Sequence, residues 1–383
     1  MSQSMQVELL SSLAQVAPED WDALTGDNDP FVEHAFLNAL ETSGSVGAGT
    51  GWRPMHVTLR RQGRLVGALP LYLKEHSYGE YIFDFSWAAA AERAGLRYYP
   101  KLVSMVPFTP ATGRRFLFAA DEDPAQITAA LLEGALAVRD ATTASSIHLL
   151  FLNAEEHARV CTDPRFMSRL AMQFHWHNTG VTSFEQHLSS FRSVVRKEVR
   201  KERRRAAEAG LDVSIATGTE LSAEEWQALS DFYFDTCDKH GSGPYLTRAF
   251  FSEIAAKHAK RVVAALAKRD GVVVAGTLNF EKGDHLYGRY WGSHEELPNL
   301  HFELCYHRLI ERAIERGYSR FEAGAQGTHK LRRGLLPAEI YNACHIAEPR
   351  FALAIGDFLA REAQSLQAEM AELRHHGPSH REL

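Results

Sequence analysis

HVTLRRQGRLVGALPLYLK occupies residues 56–74, and AALAKRDGVVVAGTLNFEK occupies residues 264–282. The second begins 264 − 56 = 208 residues after the first, and the two align without a gap. Each holds an apolar segment, a basic dipeptide (Arg60-Arg61, Lys268-Arg269), a turn ending in glycine (Gly63, Gly271) and a second apolar segment. Asp270-Gly271 is a strong hairpin signal, because both central residues of a type I′ turn need positive φ; Gln62-Gly63 is a weaker version of it. Each copy is therefore expected to be a β-hairpin. The flanks match too. Helical stretches at 31–43 and 223–240 precede the hairpins. Strands at 99–107 and 285–291 follow, then helices at 124–139 and 302–317, then strands at 146–152 and 319–323. The order helix, hairpin, strand, helix, strand occurs twice. A chain of 383 residues thus reads as two related α/β domains, expected at 1–175 and 176–383.

Composition narrows the function. Apolar residues at 45% and charged residues at 23% exclude a collagen, a coiled-coil rod and a disordered tail. The chain has 42 basic and 48 acidic side chains, a net charge of −6, so an anionic partner must meet a local basic patch. Cys161, Cys237, Cys305 and Cys344 form no CxxC pair, which excludes a disulfide scaffold and fits a reducing compartment. Residues 1–13 have neither the basic nor the apolar region of a signal peptide. Apolar runs such as 147–152 and 262–266 are far shorter than the ~20 residues of a spanning helix. A cytoplasmic protein with no membrane span is expected. His175 and His177 share a strand face, and His301 and Cys305 a helix face, but neither pair supplies three or four ligands; no metal is expected.

Six strings carry a resemblance: HSYGEYIFDFSW (76–87), YYPKL (98–102), VPFTPATGRR (106–115), QFHWHN (173–178), HFELCYH (301–307) and GAQGTHKLRRG (324–334). With them, the chain resembles the FemAB-like family of predicted N-acyltransferases, over nearly its whole length. The resemblance implies a tandem GNAT-like α/β fold, with mixed sheets flanked by helices and two strands splayed around an acyl-donor cleft. It also implies an amine acceptor, such as a small molecule or a muropeptide in peptidoglycan precursor modification. GNAT enzymes that use acetyl-CoA usually carry a glycine-rich loop before the central helix, whose backbone N–H groups cradle pyrophosphate. Residues 293–300, SHEELPNL, have no glycine and two adjacent carboxylates. Residues 109–115, TPATGRR, have one glycine, two hydroxyls and two arginines, so Arg114 is a candidate phosphate contact. Fem-type enzymes lack the loop and take their acyl group from aminoacyl-tRNA. The donor is thus acyl-CoA or aminoacyl-tRNA, and no cofactor is implied beyond acyl-CoA as a co-substrate.

Residues 188–210 read as one basic helix, capped by Ser189 or Ser190 and ended by Gly210. Between Arg192 and Arg205 there are eight basic and two acidic residues, a local +6. Arg192, Arg196, Arg200 and Arg204 form one row that repels itself unless anions meet it; Glu198 and Glu202 are near, and phosphate is the external candidate. The resemblance implies a phosphate-handling role for Arg196, Lys197 and Arg200.

Amide formation needs a base for the amine and donors for the tetrahedral oxyanion. No Ser-His-Asp or Cys-His motif is evident, so direct attack by the amine is expected. His301 and Glu303, at the start of the second central helix, are candidate bases, although a first-turn carboxylate also suits the helix dipole. Gln326, His329, Lys330 and Arg333 crowd donors into a glycine-flanked loop; the resemblance places at Lys330 a lysine that supports the aminoacyl end. Glu80, Asp84 and Trp87 with Tyr98, Tyr99 and Lys101 read either as a cleft wall or as buried, hydrogen-bonded strand residues. A non-catalytic module that recognises peptidoglycan precursors or RNA on the same fold is the alternative.

Overall fold

A computed structural model describes residues 5–324 and 327–379. The chain divides into two compact units: residues up to Ala171 with Glu339–Gln367, and Met172–Ala338 with residues from 368 onward. The units interleave, so 339–367 belong with the first unit, where a single cut after 175 would put them in the second.

In the first unit the elements used below are β1 (Gln6–Leu10), α1 (His34–Thr42), β2 (His56–Arg61), β3 (Arg64–Leu69), β4 (Tyr72–Lys74), β5 (Lys101–Ser104), α2 (Pro124–Thr142) and β6 (Ser146–Leu152). In the second they are α3 (Ser193–Ala207), β7 (Asp212–Thr217), α4 (Ala223–Lys239), β8 (Val262–Arg269), β9 (Val272–Lys282) and β10 (His285–Ser293). A helical stretch follows, made of α5 (Leu300–Phe302), a π-helical turn (Glu303–His307) and α6 (Arg308–Glu315), and then β11 (Arg320–Glu322).

The two hairpins agree pair by pair. Val57↔Leu69, Thr58↔Ala68 and Leu59↔Gly67 in β2/β3 become Ala265↔Thr277, Leu266↔Gly276 and Ala267↔Ala275 in β8/β9, each number raised by 208. Both ladders slip at the next residue, Arg60 and Lys268, again 208 apart. Both turns have positive φ at both positions: Gln62 at 52° and Gly63 at 80°, Asp270 at 51° and Gly271 at 82°. A strand absent from the sequence reading pairs antiparallel with each hairpin: β1 with β2, and β7 with β8.

The copies then differ in two ways. β9 runs unbroken through Leu278, but the matching position in the first copy, 278 − 208 = 70, is Pro70, which has no N–H for the ladder and separates β3 from β4. Between β4 and β5 stand residues 75–100, where β9 and β10 are joined by only Gly283 and Asp284.

Each unit has a short parallel pair. β5 meets β6 through Leu102↔Ile147, Val103↔His148 and Ser104↔Leu149. β10 meets β11 through His285↔Arg320, Leu286↔Phe321 and Tyr287↔Glu322. Beyond Tyr287, β10 continues to Ser293 while β11 ends at Glu322, so the two strands part and a cleft opens. In the first unit that gap is taken by the chain itself: Gly113 bridges Leu152 in parallel, and its N–H donates to the Phe151 carbonyl at 3.1 Å.

Helices seal the sheets. Asp123 caps α2 through the Ala125 N–H, and Pro124 opens the helix where its missing N–H costs nothing. Its stripe of Ile127, Leu131, Leu132, Ala135 and Val138 packs on Val57, Leu59 and Val66. In the second unit Leu300, Leu304, Leu309, Ile310 and Ala313 pack on Ala265, Ala267, Leu286 and Phe321. α4 approaches β10 closely at Gly292, where a Cβ would lie 2.5 Å from the Phe232 carbonyl oxygen. No helix among the described residues is long and apolar enough to cross a membrane.

Candidate active site in the second unit

The parting of β10 from β11 leaves a cavity of about 430 Å³. β9 contributes Thr277 and Asn279 to its walls, and β10 contributes Arg289, Tyr290 and Trp291. β10 is bulged here, since Leu278 faces Tyr290 while Asn279 faces Gly288, leaving Arg289 as the extra residue. His301, Cys305 and Tyr306 enter from the helix, at and beside its π-turn, a distortion that recurs at functional sites. His329 and Lys330 enter from a 3₁₀ segment, Thr328–Arg333, bounded by Gly327 and Gly334. Gly327 has φ of 107°, and a Cβ there would strike the His329 ring at 2.3 Å. A second cavity of about 500 Å³ shares His240, Trp291 and His301 and extends to the 293–300 loop.

The electrostatics follow from burial. The His301 imidazole is pushed down to about 4 by burial, helped by the nearby charges of His329, Arg333 and Lys330. His329 is lowered in the same way, and its Nε2 lies 2.9 Å from the Tyr306 hydroxyl. Both rings are therefore neutral at pH 7. Burial lowers the Lys330 ammonium to about 8, and its Nζ donates to the Gly324 carbonyl at 2.8 Å. Burial pushes the Cys305 thiol up, which keeps it protonated and weak as a nucleophile.

Of the residues expected at the site, His301, His329 and Lys330 meet in this cavity. Gln326 lies outside the described residues. Glu303 is buried but does not line the cavity: Arg203 holds its carboxylate at 3.1 Å, and Arg203 also binds Glu311 at 2.9 Å. Of the two candidate bases, His301 lines the cavity and Glu303 does not. Arg333 is buried behind the loop, with its guanidinium 3.5 Å over the Phe302 ring. Tyr306, Tyr290 and Trp291 were not expected; an aromatic five positions after His301 was the available signal for Tyr306.

The single basic helix expected over 188–210 is two helices, Phe184–Ser189 and α3. Phe191 bridges Ser379 and the Arg192 N–H donates to the Pro378 carbonyl at 2.8 Å, so a distant segment breaks the helix. The arginine row finds its partners within the chain. Arg192 binds the carbonyls of His376 and Gly377, Arg196 those of Ser189 and Phe191, Arg200 the Glu185 carboxylate at 2.6 Å and Arg204 that of Glu208 at 3.7 Å. Lys197 is less enclosed, in a run with Lys201, Arg204 and Arg205.

Most of the first-unit candidates are buried and hydrogen-bonded to one another, while Tyr98 also lines a small cavity of about 110 Å³. Lys101, fully buried, donates to Glu80 at 2.7 Å, to Ser77 at 2.9 Å and to Asp84. Tyr98 donates to Asp84 at 2.5 Å, Tyr99 bonds Ser77 at 2.8 Å, and Trp87 is buried. Burial raises Glu80 to about 7. Burial opposes the Asp84 charge as well, but Lys101 and His148 hold its carboxyl well below the usual range. Arg114 lies 4.5 Å over the Phe118 ring, while Arg115 is buried against the carbonyls of Leu150 and Ala111 and against Asp29. The 109–115 segment thus fills the gap beside Leu152, and the Arg115 donors are spent internally, while Arg114 stays part-exposed.

Two copies of a splayed-strand α/β unit, one of them open to solvent at a cleft, define a tandem GNAT-like fold. The chain belongs to the FemAB-like family, whose model, described as peptidoglycan biosynthesis/recognition, matches residues 12–381. No curated protein sequence matches it. Among solved structures, FemX is similar with a TM-score of 0.54 at 14% identity, covering 89% of this chain and 98% of its own. The C-terminal domain of a putative lysylphosphatidylglycerol synthetase from Agrobacterium fabrum gives 0.53 at 12% identity, covering 91% and 97%. A conserved protein of unknown function from Bacteroides thetaiotaomicron gives 0.51 at 11%, covering 89% and 100%.

Proposed function

We propose that this chain is an N-acyltransferase that moves an aminoacyl or acyl group onto an amine in the second-unit cleft, in the modification of peptidoglycan precursors in the cytoplasm. The observation that carries the reading is the pair of neutral imidazoles, His301 and His329, beside the Lys330 ammonium in a 430 Å³ cleft between parting strands. The substrate amine loses a proton to the His301 imidazole and attacks the acyl carbonyl. A C–N bond forms and the carbonyl electrons move to oxygen, where Lys330, with two N–H donors beyond the one given to Gly324, stabilises the oxyanion. Collapse breaks the ester C–O bond of an aminoacyl donor, and the His301 imidazolium returns the proton to the leaving oxygen. A thioester would react in the same way with C–S cleavage.

The 293–300 loop supports an ester-linked aminoacyl donor over acyl-CoA. Glu295 and Glu296 border the adjoining cavity, Glu295 is fixed by Arg269 at 2.8 Å, and its N–H is already given to the Ser293 hydroxyl at 3.2 Å. A pyrophosphate would meet these carboxylates there. A muropeptide amine is the acceptor this reading favours.

The test pairs thermal-shift binding of CoA, acyl-CoAs, tRNA and nucleotide-linked muropeptides with an assay of radiolabelled acyl transfer. A ligand present at 100 times its Kd stabilises the fold by about 2.7 kcal/mol. Stabilisation by tRNA and a muropeptide, with label appearing on the amine, is expected. Binding of a muropeptide with no transfer from any donor would replace the enzyme by a recognition module.

A further inference from the structure

Glu202 departs from the pattern of its helix. The inward stripe of α3 is Val195, Val199, Glu202 and Ala206, so a carboxylate occupies a place that the helical period reserves for an apolar side chain. A buried carboxylate is costly unless paired, and this one is paired twice. Oε2 lies 3.0 Å from His307 Nε2, and Oε1 accepts from Arg333 Nη2. Arg333 passes the constraint on: its Nη1 donates to the backbone carbonyl of His329 at 2.6 Å. Tyr306 holds the ring of His329 from the other side. At the solvent surface Arg332 and Glu198, at 2.8 Å, tie the same helix to the same loop without reaching His329.

We propose that Glu202 is a positioning residue: acting through Arg333, it sets where the His329 imidazole stands in the cleft. The inference rests on the reading of this cleft as the site of acyl transfer, and it names a side chain that touches no substrate. Its carboxylate also offsets Arg333, which with Lys330 lowers the affinity of His329 for a proton; Tyr306 and His301 are the other titratable groups facing that ring. Removing the Glu202 charge leaves the field of Arg333 unopposed.

The experiment titrates His329 by NMR in the full chain, which needs no turnover, and measures acyl transfer separately. In Glu202→Gln the His329 resonance is expected to shift and to titrate at lower pH than in the wild type. Glu198→Gln is expected to leave it in place, and Glu202→Asp to restore part of the shift. In the transfer assay Glu202→Gln is expected to lower kcat by about 10- to 100-fold with KM little changed. An unchanged His329 titration in folded Glu202→Gln overturns the proposal, as does an equal loss of kcat in Glu198→Gln. Should Glu202→Gln fail to fold, Arg333→Lys is titrated instead, and an unmoved His329 there overturns the proposal equally. A wild-type chain that transfers nothing overturns the functional reading alone, because the titration still decides the role of Glu202.

Discussion

In the proposed mechanism, Lys330 and His301 set opposite limits on the chemistry. His301 accepts a proton only when neutral, so the rate falls as pH drops through about 4. Lys330 stabilises an oxyanion only as an ammonium, so the rate falls as pH rises through about 8. The pH profile of kcat/KM is expected to be a bell between these values. Lys330→Arg keeps the charge at all accessible pH and is expected to move the alkaline limb upward; an unmoved limb would assign it to another group. Lys101 is buried between the Glu80 and Asp84 carboxylates. Lys101→Met leaves the Glu80 and Asp84 carboxylates buried without their shared cation, and is expected to cost about 3–5 kcal/mol in urea unfolding. At this scale the sequence announced which residue types were rich in chemistry but not which way they faced. The same mixture of aromatics and charges became a sealed ion cluster around Lys101 and an open wall around Lys330. Sequence spacing does not carry that difference, because residues far apart along the chain decide it.

The elements were the most legible part. Asp270-Gly271 and Gln62-Gly63 turn as their side chains demand, and the strand over 146–152 and the helices over 34–42 and 223–239 fall within the expected spans. Gln62 is the poorer choice at positive φ, so Gln62→Asn is expected to raise stability by roughly 0.5–1 kcal/mol, and Gly63→Ala to lower it by roughly 1–2 kcal/mol, both read from denaturant midpoints. β1 and β7 escaped notice because each is a short edge strand, and the partner of β1 lies some fifty residues away. The break in the basic helix escaped for the same reason: its cause, residues 378–379, is remote in sequence. The arginine row looked self-repelling because its partners, many of them backbone carbonyls, leave no mark in a charge count.

For the whole molecule, duplication does not mean two working sites. The second unit leaves its parted strands open, whereas the first fills the gap with Gly113 and the Arg115 network. One donor per chain is therefore expected in calorimetric titration, and a stoichiometry of two would reopen the first unit. His301→Ala is expected to abolish transfer with no residual activity from the first copy. The net −6 also resolves into parts, since Lys197, Lys201, Arg204 and Arg205 put a basic face on an acidic chain.

The return of residues 339–367 to the first unit has a consequence for synthesis. On the ribosome, the first 171 residues emerge well before residues 339–367, with which they make one compact unit. At roughly 5–20 residues per second, that delay is on the order of ten seconds or more. Until then the edge of β6, whose antiparallel partner begins at Tyr341, stands uncovered. The nascent chain is thus expected to lean on chaperones in that interval, and a truncation before residue 339 to aggregate instead of yielding an isolated first unit.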